Sequence, residues 1–77
     1  MFRFNILDMS AFLKAVNECS GTVNMIQENG YKRNINKEWG VQSTLKERFR
    51  ENHNSLNLTL SIPDSKDYLR IVNCLIS

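Results

Sequence analysis

A chain of 77 residues with 42% hydrophobic and 23% charged side chains has the composition of one folded domain, residues 1–77, and excludes disorder or a second domain. At this size only about 60% of the unfolded surface is buried, which argues against a deep small-molecule cavity and favours a carrier, binding module or regulator over an enzyme. The net charge is +2 with the signs mixed along the chain, so the basic stripe of a nucleic-acid binder is missing.

Phe2, Phe4 and Ile6 alternate with Arg3 and Asn5, the period of a half-buried strand, which Leu7 extends and Asp8-Met9-Ser10 breaks. A first helix is expected from Ala11 to about Cys19, with Phe12, Val16 and Cys19 on one face and Ser10 or Asp8 as its N-cap. Ser20-Gly21 is expected to stop it. Thr22–Gln27 then reads as a strand, and Asn29-Gly30 is the strongest turn signal in the chain. A three-residue loop, Glu28-Asn29-Gly30, sets Val23 opposite Ile35 and Gln27 opposite Tyr31. That register pairs apolar with apolar and is preferred to a two-residue loop. The partner strand is Tyr31–Asn36.

Val41, Leu45 and Phe49 recur at helical spacing and define a second helix with Trp39 just before it. Trp39 and Phe49 read first as core; an exposed Trp39 would instead be the best single contact residue. Leu56, Leu58, Leu60 and Ile62 alternate with Asn57, Thr59 and Ser61, a strand with one face on a core and one in water, ended by Pro63. Asp64-Ser65-Lys66-Asp67 opens the last helix with acids suited to its N-terminus; Tyr68, Leu69, Val72, Leu75 and Ile76 are its expected buried side. One wet sheet face puts all helices on the other. The expected fold is a two-layer α+β open-faced sandwich of four mostly antiparallel strands covered by three helices.

Chemistry-bearing residues are sparse. Cys19 and Cys74 make neither a disulfide framework nor a metal site and read as structural thiols. His53, the single histidine, lies in a polar loop. Lys46, Arg48 and Arg50 read as a solvated helix face or a docking patch for an acidic partner. No cofactor or metal is expected. No apolar run approaches the roughly 18 residues of a membrane span, and Met1-Phe2-Arg3-Phe4-Asn5 lacks a signal-peptide stretch, so a cytoplasmic protein is expected.

The βαββαβα order resembles the histidine phosphocarrier (HPr) family over nearly the whole chain. Phe12–Val16 through Ser20 is similar to that family's first helix. Val23-Asn24-Met25 with Asn29-Gly30 is similar to its central hairpin, Ile35-Asn36 with Val41 and Leu45 to its approach to helix two, and Asp64–Ile76 to its last helix. The resemblance implies a phosphoacceptor histidine before helix one, in a Gly-Leu-His-Ala-Arg-Pro-like segment. An ungapped count back from Ser20 puts Asp8 at the histidine position, Ser10 at the arginine position and Ala11 at the proline position. The family's regulatory serine falls on Gly40, or on Trp39 with a one-residue shift. All of these signature residues are replaced. In the family, partners dock on the exposed parts of helices one and two.

The resemblance therefore implies a domain related to the sugar phosphotransferase system that binds a protein partner without phosphotransfer, through Ser10, Trp39, Lys46, Arg48 and Arg50. A phosphocarrier using Asp8 is the alternative, since a carboxylate can form a phosphoryl intermediate; capping is the ordinary role of Asp8 and Ser10 alike. A ligand-binding ACT-like or RNA-binding RRM-like module is the third reading. The RNA module needs aromatics on its central strands, where only Tyr31 fits. The ACT-like module needs a glycine-containing loop after the first strand, where this chain has Asp8-Met9-Ser10.

Overall fold

The structure is a computed structural model that describes residues 2–76. In chain order it comprises β1 (Phe2–Ile6), α1 (Met9–Glu18), β2 (Asn24–Ile26), β3 (Lys32–Asn34), α2 (Trp39–Glu51), β4 (Leu56–Ser61) and α3 (Ser65–Ile76). The strands form one antiparallel sheet in the order β1-β4-β2-β3. β1 and β3 are therefore its edges.

The alternation on β4 sets the layers. Leu56, Leu58 and Leu60 are buried, while Asn57, Thr59 and Ser61 are exposed or half-buried. β1 pairs with β4 from Phe2↔Leu60 to Ile6↔Leu56. Directly opposed residues share a face, so Phe2, Phe4 and Ile6 join the leucine side and Arg3 and Asn5 join the wet side. The buried cluster combines Ile6, Val23, Ile35 and the β4 leucines with Phe12, Leu13 and Val16 of α1, Leu45 of α2 and Ile71 of α3. One sheet face thus packs on three helices, and the other is polar.

The hairpin takes the expected register. Gln27 N donates to Tyr31 O at 2.8 Å and Ile35 N to Val23 O at 2.8 Å, which brackets the β2–β3 pairs. Gly30 N closes the turn on Gln27 O at 2.8 Å, and Gly30 sits at φ +86°, the left-handed residue that a three-residue hairpin loop requires. The strands proper are shorter than their apolar pattern, at three residues each.

Several expectations are corrected. β1 ends at Ile6, leaving Leu7 exposed. α1 starts at Met9, two residues before the expected Ala11; of the two expected cap candidates Asp8 is the N-cap, its Oδ1 accepting from Ala11 N at 3.0 Å. α1 ends without a left-handed glycine. Its C-cap Cys19 is extended, and Ser20 N and Gly21 N donate to the Asp67 carboxylate at 3.1 and 2.8 Å. On α3 the fully buried residue is Ile71, whereas Leu69 is 56% exposed. Ile76, expected on the buried side, has its side chain outside the described residues. Trp39 is not core: as the first residue of α2 it is 65% exposed. On α2, Gln42 takes a buried place beside Leu45, at 4% exposure.

Candidate functional site

The start of α1 and the outer side of α2 form one continuous face. Asp8 sits in extended backbone and caps α1, Met9 turns into the core, and Ser10 stays exposed on the first turn. Beside them lies a groove of about 690 Å³ lined by Leu7, Asp8, Ser10, Lys46, Phe49 and Arg50. A second groove of about 450 Å³ runs on between the helices, lined by Ser10, Lys14, Asn17, Trp39, Gln42 and Lys46. Ser10 and Lys46 belong to both.

The structure thus brings together Asp8, Ser10, Trp39, Lys46 and Arg50. Arg48 does not join them. Residues two apart on a helix do not share a face, and Arg48 lines grooves with Met25 and Gln27 on the other side of α2; this corrects its inclusion in the same patch. His53 occupies the turn after α2 at φ +57° and lines neither groove.

A buried amide network fixes the two helices. Gln42 Nε2 donates to Asn17 Oδ1 at 2.7 Å and to Ile35 O at 2.8 Å. Asn17 Nδ2 returns a bond to Gln42 Oε1 at 3.2 Å, and Lys37 N donates to Asn17 Oδ1 at 3.1 Å. Asn36 Nδ2 ties the same turn to Cys19 O and Gly21 O at 3.1 and 2.6 Å. These bonds set where Trp39 and Lys46 stand relative to Ser10. Apolar periodicity alone cannot find Gln42 or Asn17, because both are polar; a glutamine three residues before Leu45 is the only hint.

The ionisable groups argue for structure more than for reactivity. Burial, then the neighbouring Asp67 carboxylate, pushes the Cys19 thiol up to about 11, and its Sγ donates to Ala15 O at 3.3 Å. Burial and then the Asp8 carboxylate raise Cys74. A reactive thiol needs a lowered value. Among the described residues no three His, Cys, Asp or Glu side chains cluster as metal ligands, and no helix is long and apolar enough to cross a membrane.

At the α1 start, the Asp8 carboxylate already engages the Ala11 amide, one of the unpaired first-turn donors that make helix N-termini attract anions. On the wet sheet face, the central strands β2 and β4 present Asn24, Ile26, Asn57, Thr59 and Ser61 and no aromatic side chain. Tyr31 precedes β3 on the edge of the sheet, so it supplies no stacking platform on a central strand. No model of a known family, no curated protein and no solved structure matches this chain.

Proposed function

We propose that this chain is an HPr-like domain, related to the sugar phosphotransferase system, that has given up phosphotransfer and binds a protein partner through the α1–α2 face. The observation that carries the reading is the Asp8 cap. At the position where the resembled family holds its phosphoacceptor, a carboxylate bonds to the first-turn amide at 3.0 Å, a donor that a phosphoryl group at the helix start would otherwise use. The element order β-α-β-β-α-β-α supports the resemblance, and the exposed indole of Trp39 beside Lys46 supplies the kind of anchor on which interfaces concentrate binding energy.

The reading is tested by incubating the chain with phosphoenolpyruvate and Enzyme I of the phosphotransferase system and measuring intact mass, beside an active HPr control. No added phosphoryl mass is expected. A pull-down from cells is expected to recover a partner that Trp39→Ala loses.

A phosphocarrier using Asp8 is the second reading. It is favoured by one observation: Lys46 and Arg50 line the same groove as Asp8, where they suit an anionic group. It predicts labelling that Asp8→Ala abolishes.

A further inference from the structure

The two edges of the sheet are built differently. β3 is three residues long and exposes Lys32 and Arg33, the short charged form that blocks edge pairing. β1 has five residues in unbroken register with β4, with no proline, glycine or bulge, and its outer side pairs with no strand among the described residues. Its apolar row is uncovered at its start: Phe2 is 47% exposed, Phe4 is half-buried and Ile6 is buried. The Phe2 and Tyr68 rings lie 4.7 Å apart, which places one flank of α3 directly above this edge. That flank continues through Val72 to the exposed Leu69.

We infer that β1 is a homodimer interface, in which the β1 strands of two copies pair antiparallel about a twofold axis and extend the sheet to eight strands. An unpaired strand edge calls for extended backbone as its occupant, and the residues of β1 specify a second β1. Centred on Phe4, the antiparallel pairing sets Phe2 against Ile6, Phe4 against Phe4 and Arg3 against Asn5. The apolar pairs all lie on the helix side and the polar pairs on the wet side, as the sheet demands. Centring on Arg3 opposes two arginines, a like-charge pair that destabilises a sheet. A twofold interface needs this self-complementarity. It also brings the two α3 flanks together, covering Leu69. The surface is separate from the α1–α2 face, so dimerisation leaves that face open.

The test is sedimentation equilibrium of the intact chain from micromolar to millimolar concentration. A monomer–dimer equilibrium is expected. Asn5→Lys sets two lysine–arginine pairs across the axis, and Asn5→Asp sets two aspartate–arginine pairs. Two symmetry-related pairs of ordinary cross-strand size predict dissociation constants shifted about 2- to 30-fold, in opposite directions. Asn5 also accepts a bond from Ser55 Oγ at 3.1 Å, so circular dichroism must show each variant folded. Should Asn5→Lys fail to fold, Leu69→Glu, on an exposed position, is expected to weaken the dimer. A monomer throughout the range overturns the inference, as does a dimer indifferent to these changes or a β1 edge that pairs only with a foreign peptide.

Discussion

Asp67 and Gly21 lie 46 residues apart, yet the Asp67 carboxylate accepts the Gly21 amide proton at 2.8 Å and that of Ser20 at 3.1 Å. The first turn of α3 thereby holds the chain as it leaves α1. Its two acids divide the work: Asp64 Oδ1 caps α3, accepting from Lys66 N and Asp67 N at 2.8 and 3.1 Å, while Asp67 reaches across. The Gly21 amide first, then that of Ser20 and the nearby Arg70, hold the Asp67 carboxyl below its ordinary range. Its stabilising effect is present above the unfolded value of about 3.9 and is lost as pH falls through the lowered folded value. Urea midpoints are expected to drop over that acid window, and Asp67→Asn is expected to lower the midpoint at neutral pH and flatten the acid limb. An unchanged limb would mean that another carboxylate governs acid unfolding.

Gln42 is expected to matter for stability more than its polar side chain suggests. Gln42→Leu keeps the volume but leaves the Ile35 carbonyl with only the longer 3.3 Å bond from Glu38 N in place of its 2.8 Å donor, and it breaks the pairing with Asn17. The expected loss is about 1–3 kcal/mol, read from chemical denaturation. A neutral result would show that water replaces the amide.

Two residues with positive φ are expected to respond in opposite ways. Gly30 at φ +86° has nothing within 4 Å of an added Cβ, so Gly30→Ala tests conformation alone and is expected to cost about 1 kcal/mol. Lys37 holds φ +59° with a full side chain. Lys37→Gly relieves that strain, partly offset by the greater freedom of glycine in the unfolded chain, and is expected to be neutral or to stabilise by up to about 1 kcal/mol. Thermal melts of both variants check the pair.

Trp39→Ala separates binding from folding. With the indole 65% exposed, stability is expected to change by no more than about 0.5 kcal/mol. Affinity for the partner recovered by pull-down is expected to fall by about 2 kcal/mol or more, measured by calorimetry. Loss of fold would return Trp39 to the core reading.

Local patterns carried much of the architecture. The period-two alternation of Leu56, Leu58 and Leu60, the Asn29-Gly30 turn and the apolar pairing of Val23 with Ile35 specified β4, the hairpin and its register, because each depends on near neighbours and on the pleat. An Asp before an amphipathic run was legible as the α1 cap for the same reason. The tertiary structure decided the rest. Only the β1-β4-β2-β3 order makes β1 an edge, since pairing between distant strands leaves no local trace. A helix's apolar pattern names a broad face, and its neighbours choose the buried residue within it: Ile71 over Leu69 on α3, and Gln42 beside Leu45 on α2. Trp39 stayed outside because α2 begins on it, beyond the part of the helix that meets the core. Asp67, legible as a helix-start acid, became a crosslink to Gly21 only once α3 packed beside α1 and brought an ionised carboxylate to two amides that lacked helical partners.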